Sequence, residues 1–176
     1  FLAATSAAFD GSGTFTTDGE LSAHLDGTAP IGAAPGSPTL GVCDAAVVNS
    51  KAELDALASC HTIRGHLVIE GTSDITNVNV LSNLKEIDVS AGGSQYGGCT
   101  YGLIIRANTA LTQIDGLRSL TRVASGAVLI EGNTKLRSTL GLGEQLSHIE
   151  KSDSCGEVLV VRENAELVDL GSSWDF

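Results

Sequence analysis

Gly102-Leu-Ile-Ile-Arg-Ala-Asn108 and Ala127-Val-Leu-Ile-Glu-Gly-Asn133 are two copies of one pattern. His66-Leu-Val-Ile-Glu-Gly71 and Glu157-Val-Leu-Val-Val-Arg-Glu-Asn164 are two more. The charged positions Glu70, Arg106, Glu131 and Arg162 are spaced by 36, 25 and 31 residues, and five residues after each stands Ile75, Leu111, Leu136 or Leu167. Recurrence of this kind marks a stacked solenoid, in which each coil buries its apolar face only against its neighbours. Extended stacked surfaces favour binding over catalysis.

Strand side chains alternate between the two faces of a sheet, so the repeat separates into rows. Leu67, Leu103, Val128 and Leu159 form one inward row, and Ile69, Ile105, Ile130 and Val161 another. Val68, Ile104, Leu129 and Val160 then point outward, together with Glu70, Arg106, Glu131 and Arg162. The charged row alternates in sign and predicts a ladder of ion pairs, each worth only about 0–1 kcal/mol when exposed. The outward aliphatic row predicts an exposed apolar column, and such patches usually meet something. Either the N-terminal arm or a flanking domain covers it, or a partner docks there. These eight outward residues are the candidate partner face. Asn108, Asn133 and Asn164 are expected to turn inward and satisfy backbone groups at the bends.

Composition narrows the function. Of the 176 residues 42% are apolar but only 4% aromatic, so the core is built from Leu, Ile, Val and Ala. The net charge of −11 argues against nucleic acid and anionic membrane surfaces as partners. Its main effect is solubility. No segment reaches the roughly 18 apolar residues of a membrane span, so no direct membrane insertion is expected. There is no Asn-x-Ser/Thr sequon. The chain has no Met and starts Phe1-Leu2, as a processed or truncated product would.

Residues 1–42 differ from the rest. They hold all three prolines (Pro30, Pro35, Pro38) and no Lys or Arg. Gly27-Thr-Ala-Pro-Ile-Gly-Ala-Ala-Pro-Gly-Ser-Pro38 reads as a linker or stalk, and Gly13–Thr17 and Glu20–Leu25 alternate enough to form strands. The segment Asp10–Glu20 superficially resembles a calcium loop. With Gly13 as the turn glycine, however, Ala8 and Gly19 occupy the first and last ligand positions. The folded domain is expected over 43–176. Ser50-Lys-Ala-Glu53 is a capping box that starts a short helix, and this helix would close the first coil of the solenoid.

Glu53-Leu-Asp-Ala-Leu-Ala-Ser-Cys60-His-Thr-Ile-Arg-Gly65-His-Leu-Val-Ile69 resembles the opening of a receptor L domain. This is the leucine-rich-repeat-like β-helical module of insulin- and epidermal-growth-factor-receptor ectodomains and of fungal cell-surface proteins. Asn108-Thr-Ala-Leu111, Asn133-Thr-Lys-Leu136 and Asn164-Ala-Glu-Leu167 match its strand repeats. The turns Leu81-x-x-Leu84-x-x-Ile87, Leu117-x-x-Leu120-x-x-Val123 and Leu146-x-x-Ile149 match its second sheet. The resemblance runs from about Cys43 to Leu170. Departures are the Gly-rich insertion Ala91–Gly98 and the lack of a following Cys-rich module. The resemblance implies a mostly β, right-handed β-helical solenoid with an N-terminal capping helix, and protein ligands on its large sheet. It also implies that Cys43 pairs with Cys60, which the chain-entropy picture values at about 3 kcal/mol for a loop of that size.

Cys99 and Cys155 each precede an aligned arginine by seven residues and so project from the same side. With one coil between them they lie about 9–10 Å apart at roughly 4.8 Å per coil, beyond the ~7 Å of a disulfide. The extra residues before each cysteine can close that gap, so a second bridge is predicted. Metal binding is the rival, without a Cys-x-x-Cys or an assisting His. Two disulfides imply an oxidising, extracellular setting.

No enzyme chemistry is legible. His24, His61, His66 and His148 are scattered, and Gly11-Ser-Gly13 and Gly141-Leu-Gly143 lack the strand–loop–helix context of phosphate loops. Acids held ionised by neighbouring arginines are unfit as proton donors. No cofactor and no metal site are expected. The expectation is a non-enzymatic extracellular interaction module of a cell-surface or wall protein, bound to a protein partner. The alternative is a structural subunit of a filament or surface layer, joined to further copies through the 1–42 arm and the last coil near Trp174. Carbohydrate binding is weaker, because aromatic residues are few.

Overall fold

The computed structural model describes residues 14–17, 21–24, 41–143, 145–150 and 156–170. Two units separate, Phe1–Ser37 and Pro38–Phe176. In the first, β1 (Thr14–Thr17) and β2 (Leu21–His24) pair antiparallel, with Phe15 opposite Ala23. The proline-rich run 27–38 lies outside the described residues.

The second unit is a curled parallel sheet of solenoid type. Its elements in chain order are β3 (Val42–Val48), α1 (Lys51–Asp55), β4 (Thr62–Glu70), β5 (Glu86–Asp88), β6 (Ser94–Tyr96), β7 (Cys99–Arg106), β8 (Arg122–Ala124), β9 (Ala127–Glu131), α2 (Leu140–Gly143), β10 (His148–Ile149) and β11 (Leu159–Arg162). Strands β3, β4, β7, β9 and β11 stack in parallel as one broad layer. The first halves of β3 and β4 continue through β5, β8 and β10 as a second, narrower layer. The third side is a column of single bridges, Asn77–Gln113–Ser138–Asp169. Each turn of chain therefore visits a short strand, a long strand and a helical corner before climbing one level.

The register is the one the repeat predicts. Leu67, Leu103, Val128 and Leu159 are aligned, as are Ile69, Ile105, Ile130 and Val161. The first three members of each inward row are fully buried, and so are Ile75, Leu111 and Leu136 five residues after the charged positions. The corner residues Leu81, Leu84, Ile87, Leu117, Leu120 and Val123 fill the same core from the other side. In the last turn Leu159, Val161 and Leu167 are only partly buried.

Helix α1 starts where its capping box puts it. The Glu53 amide donates to Ser50 Oγ at 3.4 Å, while the Glu53 carboxylate accepts the Asn49 amide at 2.7 Å. The second bond reaches one residue earlier than the reciprocal box requires, and it holds the Glu53 carboxyl below its ordinary range. Leu54 and Leu57 bury the inner face of this segment. Cys60, just beyond it, is bonded to Cys43 with Cα atoms 5.7 Å apart, as the family resemblance implied.

Stacking at strand spacing leaves no room for side chains at some corners. A Cβ on Gly116 would lie 1.9 Å from the carbonyl oxygen of Val78, one coil away. Gly141 of α2 in turn lies against Asp115, so Gly141-Leu-Gly143 is a stacking corner. Replacing Gly116 with Ala should destabilise the domain by about 1–3 kcal/mol, the usual cost of overpacking. A shift of the urea midpoint to lower concentration would show it, whereas an unchanged midpoint would mean the corner relaxes freely.

Candidate interaction face

The outer side of the broad layer carries the residues singled out by the repeat. Val68, Ile104, Leu129 and Val160 align across β4, β7, β9 and β11, and Glu70, Arg106, Glu131 and Arg162 align beside them. Val47 of β3 extends the aliphatic row by one member.

The aliphatic row is not exposed, contrary to the expectation of an open apolar column. Val68 is 4% exposed, Ile104 3% and Leu129 not at all, while Val160 is partly buried. They form a second apolar cluster with Tyr101 and Ala127, against which Tyr96 and Cys99 pack. Part of the cover comes from the chain's own Gly-rich insertion. Strand β6 folds back antiparallel on β7, pairing Ser94 with Tyr101 and Tyr96 with Cys99. Gly97 and Gly98 make that reversal in two residues, both at positive φ (58° and 84°), as this kind of hairpin requires. The hairpin lays Tyr96 along the outward row, its ring centroid 6.4 Å from that of Tyr101. Burial pushes the Tyr101 phenol upward.

The charged row resolves into two discrete pairs, where a continuous ladder was expected. Arg106 Nε donates to Glu70 Oε2 at 2.6 Å, and Arg162 donates to Glu131 Oε1 at 2.7 Å. No ion pair links Arg106 to Glu131. The Arg106 guanidinium lies over the Tyr96 ring, 4.6 Å from its centroid, so the hairpin and the charged row brace each other. Hydrogen bonding to Glu70 first, and to Glu131 in the other pair, holds both guanidinium groups above their ordinary values.

A second charged cluster escaped the sequence reading. Arg122 on β8 donates to Glu86 Oε1 at 2.6 Å and also to Glu150, which has His148 and the Ser125 hydroxyl as further neighbours, each at 3.4 Å. The signal was present, because Glu86 and Arg122 are 36 residues apart, the same interval as Glu70 and Arg106.

Behind the face runs the asparagine row, and it is structural. Asn133 Oδ1 accepts the Asn108 amide and Nδ2 at 3.1 and 3.0 Å, and its Nδ2 donates to the Ile105 carbonyl at 2.9 Å. Asn164 repeats this toward Asn133 and Ile130. Asn108 does the same toward Ile69 and toward Thr72, whose amide and hydroxyl take the asparagine's place at the end of the row. The residue just before each member, Gly71, Ala107, Gly132 or Glu163, has positive φ.

Cys99 is disulfide-bonded. Its expected partner, Cys155, lies outside the described residues. Among the described residues no group of three or more His, Cys, Asp or Glu could hold a metal ion, and no helix is long and apolar enough to cross a membrane.

A profile of the receptor L domain family matches residues 39–148. No curated protein sequence matches the chain.

Two predictions follow from this geometry. Asn133→Ala leaves the Asn108 donors and the Ile105 carbonyl unpaired in a dry interior, at about 1–3 kcal/mol per group. A loss of about 3 kcal/mol or more in chemical denaturation is expected, and a loss under about 1 kcal/mol would exclude the ladder as a main support. The second concerns Glu150, which Arg122 holds below its ordinary value of 4.5. A depressed folded value contributes stability that is present above 4.5 and lost as pH falls through the folded value. Glu150→Gln should therefore flatten the acid side of the stability–pH curve and leave its slope above neutrality unchanged.

Proposed function

The chain belongs to the receptor L domain family, and on that premise we propose that it binds a protein partner through the outer face of its broad sheet. Receptor L domains are extracellular ligand-binding modules, and the Cys43–Cys60 bridge fits an oxidising compartment. The observation that supports this face is its pre-organisation. Arg106 is held by Glu70 and Tyr96, Arg162 by Glu131, and both strands by the asparagine row beneath. A surface ordered before contact loses little entropy on binding, and Arg and Tyr are enriched where proteins meet. Glu70, Arg106, Glu131 and Arg162 are the contact residues in this reading. Val68, Ile104 and Leu129 stand beside them on the same face, in the covered aliphatic row.

The module is non-enzymatic and belongs to a protein of the cell surface or wall. Its coils wind right-handed, as nearly all parallel crossovers do. Helix α1 covers the first coil, and the residues ahead of β3 serve as an arm or linker.

The test is photo-crosslinking of the intact protein in its native extracellular setting. A benzophenone amino acid replaces Arg162, with Ser82 on the third side as control. Protein adducts from position 162 but not 82 support the face. Equal adducts from both, or none from 162, overturn it. Adducts made only of a second copy of the chain would turn the reading toward self-assembly.

A further inference from the structure

The asparagine column is open at its lower end. Asn108 and Asn133 each pass their main-chain N–H and one Nδ2 proton to the Oδ1 of the asparagine one coil further on. Asn164 has no such acceptor. Its Nδ2 turns back to the carbonyl of its own Arg162 at 2.9 Å, and its main-chain N–H has no partner among the described residues. The other end is finished, because Thr72 closes the column on Asn108 with an amide and a hydroxyl.

The core is open at the same level. Leu170 follows Asp169 of the bridge column, at the position that Val78, Ile114 and Thr139 fill in the coils above. It is 52% exposed, whereas those three are fully buried. Leu159, Val161 and Leu167 are likewise less buried than their counterparts above. Among the described strands β11 pairs only with β9. The carbonyls of Val158 and Arg162 turn toward β9, so the N–H and C=O groups of Leu159 and Val161 face away from the stack.

We infer that the underside of the last coil receives one further coil, a parallel strand with an Asn or hydroxyl residue at the column position, carried by polypeptide continuous with this chain. The unpaired N–H of Asn164 needs a side-chain acceptor on the next level, which is what Asn133 and Asn164 supply to the levels above them. The free strand edge needs a strand, and the half-open aliphatic side chains need an apolar row facing them. A second copy stacked head to tail does not meet the first need. With Val48 in register with Ile69, its Lys51 stands at the column position, and a lysine side chain is no acceptor. A separate molecule held by one four-residue strand falls short of the roughly 1,000 Å² of a stable interface, whereas a tethered strand meets its site at about millimolar effective concentration.

Hydrogen exchange of the native polypeptide, read by NMR, tests this. The amides of Leu159, Val161 and Asn164 should exchange within about tenfold of those of Ile105 and Ile130, which already lie between paired strands. Faster exchange than that overturns the inference, as does a native polypeptide with no residue after Phe176. Protection that rises with protein concentration overturns it as well, because the cover then comes from a second molecule.

Discussion

A column of buried amides governs how this molecule is built. A coil that reverses at every corner must expose backbone N–H and C=O groups inside the protein, where leaving one unpaired costs about 1–3 kcal/mol. Asn108, Asn133 and Asn164 solve this with one side chain per coil: the oxygen takes a donor from the coil before and the amide nitrogen closes a strand carbonyl. No fully buried side-chain polar atom among the described residues lacks a partner. Because every amide spans two coils, the column sets the coil spacing. The inward aliphatic rows and the charged row follow its register.

That spacing explains several local choices. Positive φ before each column residue turns the chain sharply enough to aim the amide inward. Ala107 and Glu163 adopt it despite their side chains, a strain repaid by the buried bonds that follow. Gly116 and Gly141 are small because a neighbouring backbone occupies the place of a Cβ. The ion pairs sit outside this scaffold, half in water, and fix side-chain positions more than they stabilise.

How far the fold was legible follows from the range of each signal. The inward rows, the charged register, the helix at Ser50-Lys-Ala-Glu53 and the inward asparagines were readable because local periodicity and short motifs carry them. The fate of Val68, Ile104 and Leu129 was not readable from alternation, which assigns a solvated outer face. Their neighbours held a contrary signal: Leu103-Ile-Ile105 and Val128-Leu-Ile130 are unbroken apolar runs, the mark of strands covered on both sides. The cover is supplied in part by a hairpin in the one segment that departs from the repeat, and a repeat-based reading passes over such segments. The Glu86–Arg122–Glu150 cluster was missed because strands of two or three residues are too short to show alternation, so only the 36-residue interval from Glu86 to Arg122 marked it.

The Cys43–Cys60 bridge has a mechanical consequence. In a stack where each coil touches only its neighbours, hydrogen bonds run along the stacking axis, so tension along that axis loads them one level at a time. The bridge ties the first level into a covalent ring that cannot open by losing hydrogen bonds. Tension that opens the hydrogen bonds of the first level therefore still leaves its loop closed, and helix α1 stays joined to β3 by a covalent bond.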